Sequence, residues 1–383
     1  MSLGAHSVYP GRKTLRVLQF CHGYYGPFLD CARQYASLFV DTPYQVTTVY
    51  LTGEADEAVV RGSASDEVIF LDYQSADVRG LKLRAIRDLR RICRERDFSF
   101  CIAHRFKPIY VALMGTALPV IGVHHAFGDY HRLSHRLFVH AFRRRLALLG
   151  VSNALRDDLR GPLSSWPKER IETLYNRIDI KTVQAEQVSR VEARAALGLP
   201  QDVWVVGNAG RLHPDKDQAT LIRGFAQALP HLPPGSLLVI MGQGRLESAL
   251  KALVGELGVG ESVRFLGQIP NARSTFKAFD VFALTSDHEP FGMVLLEAMA
   301  AGLPLICSDC GGGREVVEGI GALFPLGDAK ALARCLVRVA EQGVPDDYPK
   351  RVTEHLQKFS DEAAAEIFWR FPMLQAILAG ERQ

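Results

Sequence analysis

Short apolar runs alternate along the chain with polar loops and with stretches whose apolar residues recur at helical spacing. LRVLQF (15–20) is the first run; it ends in the loop CHGYYGP, and FLDCARQYASLF then carries its apolar residues along one helix face. VTTVYL, EVIFLD, FSFCIAH and LPVIGVHHA repeat the strand pattern, separated by helical stretches such as LKLRAIRDLRRICRERD. This alternation predicts a parallel sheet covered by helices on both faces. The pattern restarts after a polar stretch: VEARAALGL predicts a short helix, and WVVGNAGRL, LLVIMGQG, VRFLG, DVFALTS and LPLICSD predict strands, each followed by a loop and a helix. Two doubly wound α/β domains in tandem are therefore expected, which suits a length of 383 residues. In such sheets ligands bind beyond the carboxyl ends of the strands, so a site in the cleft between the domains is expected.

Composition narrows the class. The 48% hydrophobic and 23% charged content is that of a globular protein. The sequence has no apolar run of membrane-spanning length, and the stretch MSLGAHSVYPGRKTLRV lacks the apolar segment of a signal peptide, so a cytoplasmic location is expected. Seven cysteines without a framework spacing suit a reducing compartment, and the Cys307/Cys310 pair reads as structural. The net charge of +3 divides into +7 over residues 1–180 and −4 over 181–383, so the first half is expected to face an acidic partner. HRLSHRLFVHAFRRRLALLG (131–150) is basic and amphipathic. It reads either as a helix on the sheet with solvated charges or as a segment lying on an anionic membrane surface.

Four strand-end loops in the second half carry candidate chemistry. GNAGRLHPDKD places Arg211 and Lys216 in one polar loop, where two cations can clamp a diphosphate; a solvated charged loop is the plain alternative. MGQG, with Gly242, stands between strand and helix, where glycine permits close backbone approach and helix amides face an anion. VRFLGQIPN offers backbone groups to a flat base. In HEPFGMVLLEAMAAGLP, Glu289 to Gly292 form a strand-to-helix turn, and Glu297 follows among apolar neighbours. A buried carboxylate needs hydrogen-bond donors, which paired sugar hydroxyls supply.

E-P-F-G-x-x-x-x-E-A-x-A-x-G-x-P resembles the signature of the retaining glycosyltransferases of family 4, which have the GT-B fold. Gly210-Arg211-Leu212, Lys216, MGQG, the FLG of 265–267 and the glycine turn of 311–313 match the same pattern in order. Lipopolysaccharide-core glycosyltransferases are the nearest refinement, on the compact chain, the HHAFG loop and the basic segment. The resemblance implies an acceptor-binding Rossmann-like domain over 1–175, completed by a returning C-terminal helix (360–383), and a nucleotide-sugar-binding domain over 176–359. It implies that Arg211 and Lys216 neutralise the departing diphosphate and that Glu297 binds ribose hydroxyls. Glu289 is then at the donor sugar, backbone amides of Phe291, Gly292 and Met293 reach sugar or phosphate beside Val294, and Gly267, Gln268 and Ile269 border the base.

In the first half, Gly26 stands for the family's glycine-rich loop, although His22-Gly23-Tyr24-Tyr25-Gly26 lacks the usual adjacent glycine pair. His125 is expected beside the donor sugar, with His124 as the alternative. His22, Tyr24, Tyr25, His104 and His124 are acceptor-side candidates. Arg177 replaces a glycine in the Asn-Arg-Ile-Asp segment expected to mark the hinge, and Pro372 is expected to kink the last helix. The implied reaction transfers a hexose or N-acetylhexosamine from a nucleotide sugar, with UDP preferred over GDP, to a glycan or lipid-linked glycan with retention. Glu289 acts as orienter or as nucleophile. No metal or cofactor and no nucleic-acid partner are expected, whereas peripheral contact with the inner membrane surface is. A sugar-nucleotide epimerase-like GT-B enzyme and a non-catalytic nucleotide-sugar-binding protein are the alternatives.

Overall fold

The computed structural model describes residues 15–381. The expectation about a signal peptide rests mainly on residues 1–14, which lie outside the described residues. Strands β1 (Leu15–Cys21), β2 (Tyr44–Thr52), β3 (Glu67–Tyr73), β4 (Phe98–His104), β5 (Val120–His124), β6 (Leu146–Gly150) and β7 (Ile171–Thr173) form one sheet in the order β3-β2-β1-β4-β5-β6-β7. Strands β8 (Val205–Ala209), β9 (Leu237–Met241), β10 (Val263–Gly267), β11 (Val281–Leu284), β12 (Leu305–Ser308) and β13 (Ala322–Phe324) form the other in the order β10-β9-β8-β11-β12-β13. Every pairing in the second sheet is parallel, as are those joining β3, β2, β1, β4 and β5. Both sheets reverse their strand order once, between β1 and β4 and between β8 and β11. These reversals are the topological switch points at which open α/β sheets bind ligands.

Burial follows the sequence pattern. Strands β5, β6, β9, β11 and β12 are buried at every residue, while the edge strands β3 and β10 are mostly half-buried. In the second sheet's core, helix Gln218–Ala228 packs Leu221, Ile222 and Phe225 with Leu332 and Leu336 of helix Ala329–Gln342. Strands β7 and β13, three residues each, are too short to signal themselves. The basic stretch 131–150 is not one amphipathic element. Its helix spans Leu133–Ala141, the turn 142–145 follows with Arg143 and Arg144 exposed, and LALLG is the fully buried β6, so residues 146–150 cannot meet a surface.

The chain divides into two compact units, one of residues up to 124, 134–148 and from 369 onward, the other of 125–133 and 149–368. Packing thus assigns 149–175 to the second unit, where the sequence put the boundary at 175. Arg177 stands inside this unit, fully buried, with Nε donating to Asp361 at 2.7 Å. The last helical stretch breaks at Phe371 into Asp361–Arg370 and Pro372–Glu381, where proline lacks the amide to continue the ladder. Trp369 joins the first unit, its Nε1 donating to the Leu38 carbonyl at 2.9 Å. Among the described residues no helix is long and apolar enough to cross a membrane.

Candidate active site

The loops after β8 and β11 meet at the second switch point. Lys216 Nζ donates to Glu289 Oε2 at 2.6 Å, and their side chains are 16% and 10% exposed. Ser286 Oγ donates to the same carboxylate oxygen at 3.2 Å. The two loops are tied behind this pair: Thr285 Oγ1 donates to the carbonyls of Lys216 and Asp217, and the Asp287 amide to that of Asp215. Arg211 stays 71% exposed, 3.4 Å from Asp215, which also takes a close contact from His213. The site therefore holds one cation neutralised by a carboxylate and a second that remains in solvent.

Glycines set the backbone beneath Glu289. The Gly312 amide donates to the Glu289 carbonyl at 2.8 Å, and a Cβ on Gly311, whose φ is +57°, would lie 2.5 Å from that carbonyl oxygen. Any larger residue would push the Glu289 turn outward. The Phe291 ring is buried at 5.9 Å from Tyr175 and 5.7 Å from Phe359, so its backbone faces the turn while its side chain anchors it. Met293 and Val294, half-buried, open helix Met293–Ala300. Burial pushes the thiols of Cys307 and Cys310 up, away from reactivity, and Cys310 Sγ donates to the Ser286 carbonyl at 3.1 Å.

The ends of β8, β9 and β10 converge in the same unit. Gly210 donates to the Met241 carbonyl at 3.0 Å and Gly242 to that of Gly267 at 2.7 Å, bringing three predicted glycines together. A side chain on Gly242 would run into the Gly210 carbonyl. Gln268 is exposed and Ile269 half-buried just beyond. Glu297 is half-buried rather than enclosed, and Arg273 Nη1 lies 3.8 Å from it. Arg273 in turn grips Glu186 through Nε and Nη2 at 2.8 and 3.1 Å. The acid in the apolar helix therefore has a protein cation beside it.

In the first unit, His22 follows β1; its Nδ1 is buried and lacks a hydrogen-bond partner among the described residues. Burial, then the charges of Arg105 and Lys107, lower its pKa to about 4, so it is neutral at pH 7. Tyr24 donates to the Glu54 carbonyl at 3.0 Å, Tyr25 is 64% exposed, and Gly26 holds φ +62° in the turn. His22, Tyr25 and Arg105 line a cavity of about 420 Å³ beyond β1, β2, β3 and β4. His104 is not at the surface: it is 3% exposed, packs edge-on to Tyr35 at 4.7 Å, and burial lowers its pKa to about 3. That placement removes it from the acceptor-side residues, because a ligand would have to displace the core to reach it. His124 ends β5 fully buried, and His125, half-buried, opens the 125–133 segment of the second unit.

Among the described residues no three His, Cys, Asp or Glu side chains cluster as a metal site. The profile described as Glycosyltransferase Family 4 matches residues 31–182, and that described as Glycosyl transferases group 1 matches 189–359. The chain belongs to the family 4 glycosyltransferases. It is 38% identical over 188 residues to a D-inositol 3-phosphate glycosyltransferase of Saccharomonospora viridis, covering 45% of this chain and 43% of that one. It is 34% identical over 179 residues to the lipopolysaccharide core biosynthesis glycosyltransferase LpsE of Rhizobium meliloti, covering 46% and 51%. The matched regions thus span about half the length of these curated relatives. The crystal structure of HepE from Anabaena in complex with UDP superposes with a TM-score of 0.75 at 21% identity, covering 93% of this chain and 98% of that one. The fold is GT-B.

Within this family 4 chain the sequence reading missed Thr285, Ser286 and Arg273. Thr285 and Ser286 end the strand run DVFALTS and look like ordinary turn residues until their bonds are seen. Arg273 sits in NARSTFK with no local sign of the carboxylates it serves.

Proposed function

We propose that the protein is a retaining glycosyltransferase that moves a hexose or N-acetylhexosamine from a nucleotide sugar to a glycan or lipid-linked acceptor in lipopolysaccharide-core or other surface polysaccharide synthesis. The Lys216–Glu289 pair at the switch point of the second sheet carries this reading. Lys216 and Arg211 stabilise charge building on the departing diphosphate, a task that needs no metal. Glu289 is held by Lys216, Ser286 and the glycine turn, which makes it an orienter of the donor sugar's hydroxyls. The acceptor oxygen forms its bond to the anomeric carbon on the face from which the diphosphate leaves, and the diphosphate takes the acceptor's proton. Glu297 receives the ribose, and Gly267 to Ile269 border the base. UDP is the preferred nucleotide, in line with the UDP bound in the HepE structure.

The first unit holds the acceptor, and the helix Leu133–Ala141, with Leu133 and Leu137 exposed, gives peripheral contact with an anionic membrane surface. A thermal-shift panel of UDP, GDP and ADP tests the core of the reading. UDP at a hundredfold excess over its Kd should stabilise the protein by about 2.7 kcal/mol, and labelled UDP-sugars should be consumed when acceptor glycans are supplied. If no nucleotide raises the melting temperature, the reading is wrong. Binding without turnover would mark a non-catalytic binder, and conversion without acceptor an epimerase.

A further inference from the structure

The first sheet has its own switch point, between β1 and β4, and the cavity of about 420 Å³ opens there. That volume lies within the range of small-ligand sites. His22 enters it from the end of β1 and Arg105 from the end of β4. Arg105 has φ +74° and ψ +161°, a backbone region nearly reserved for glycine. No sequence pressure for an ordinary solvated arginine explains a position that glycine would fill without strain.

The side chain at that strained position is held in place. The Arg105 guanidinium lies over the Phe28 ring, 4.9 Å from its centroid. Among the described residues no carboxylate pairs with it, whereas other arginines in this half, such as Arg16, Arg33, Arg96 and Arg156, have one. Beside it, the unpartnered Nδ1 of His22 is a buried polar atom awaiting a hydrogen bond. The opposite rim carries the exposed carboxylates of Asp72 and Glu54. Carboxylates accept hydrogen bonds from vicinal hydroxyls, whereas a free guanidinium takes an anion through its planar fork. A bare inorganic anion would be repelled by the acidic rim; a ligand with hydroxyls at one end and an acid at the other satisfies both.

We propose that this cavity selects an acceptor sugar bearing an acidic group, phosphate or carboxylate, with Arg105 as the partner of the acid and Asp72 and Glu54 as partners of the ring hydroxyls. The inference rests on the reading of the protein as a glycosyltransferase for the word acceptor, but not for the binding itself. Glucose 6-phosphate, glucuronate and glucose are the probes, titrated by ligand-observed NMR into the full chain. The two acidic sugars should bind at least about tenfold more tightly than glucose, and their ranking decides between phosphate and carboxylate. Arg105→Gln should erase that preference, so that the acidic sugars bind no more tightly than glucose. Arg105→Gly, which relieves the backbone, should fold at least as stably and lose the preference equally. Equal binding of all three sugars by the unaltered protein, or a preference that survives both variants, overturns the proposal. UDP thermal shifts on the same samples separate the two readings: a UDP shift without acid preference fails this inference alone, and acid preference without a UDP shift fails the donor site alone.

Discussion

The two switch points of this chain are built on the same strand order yet reach opposite electrostatic states. Between β8 and β11 the charges are paired: Lys216 and Glu289 lie 2.6 Å apart, nearly buried, and Ser286 completes the carboxylate's bonds. Between β1 and β4 the principal cation is open: Arg105 rests on an aromatic ring, strained, beside a neutral histidine. A closed pair can be pre-organised because a ligand phosphate need only replace one interaction of the lysine. An open cation holds its charge for a ligand that brings its own acid. The topology thus fixes where each site lies, while the loop residues decide whether the site is self-neutralised.

Breaking the closed pair should have the largest effect. Glu289→Ala is expected to lower kcat by about 10²–10³-fold, the usual effect of losing one pre-organised polar group at a reacting centre, read from steady-state transfer with UDP-sugar. A Glu289→Ala enzyme with ordinary turnover would sink the assignment. Lys216→Ala leaves the buried Glu289 carboxyl without its cation and with only Ser286 beside it, at a cost of about 3 kcal/mol in unfolding free energy. Arg105→Gln, by contrast, should leave stability almost unchanged. If both substitutions cost the same, the distinction between closed and open sites fails.

Acid should reveal His104. His104 is buried with its pKa lowered to about 3, against about 6.5 in an unfolded chain. Above pH 6.5 neither state carries the proton and the group contributes no pH dependence. As pH falls toward 3 the unfolded state takes the proton first, so stability drops by up to about 1.4 kcal/mol per pH unit from this residue. His104→Phe keeps the edge contact with Tyr35 and should flatten the stability profile between pH 4 and 6, measured by urea unfolding. An identical slope in both proteins would mean that His104 is protonated in the folded state. A smaller change is expected at Arg105: replacement by glycine should stabilise by about 1 kcal/mol through relief of strain, or about 2–4 °C in Tm.

Most of the second site was legible because its residues follow strands in a fixed order. Apolar runs located β8 to β12, and the loops after them had to carry Arg211, Gly242, Gly267 and Glu289 toward one edge. Spacing could not show that Lys216 binds Glu289, since that bond depends on how far two separate loops fold inward. The first unit was harder to read. His104 and His22 both end strands in sequence, yet one faces the core against Tyr35 and the other a cavity, and one residue of register separates such fates. Arg105 looked like any charge after a strand because backbone strain leaves no trace in composition.

Arg273 gives the finest test of the comparison, because it places one cation between Glu186 and Glu297, the acid proposed to receive the ribose. Its guanidinium is bonded twice to Glu186, at 2.8 and 3.1 Å, and its Nη1 approaches Glu297 at 3.8 Å. Arg273 therefore stands between two acids, Glu186 and Glu297. Arg273→Met removes the cation and retains the aliphatic bulk. It should weaken UDP binding by a few-fold, about 1 kcal/mol for one partly exposed charge contact, and raise KM with kcat unchanged. Glu297→Gln should raise KM further, and in that background Arg273→Met should add little, since the cation then has no anion to hold. Additive effects of the two substitutions would show that Arg273 meets the nucleotide itself, moving it from a support of Glu297 to a direct ligand contact.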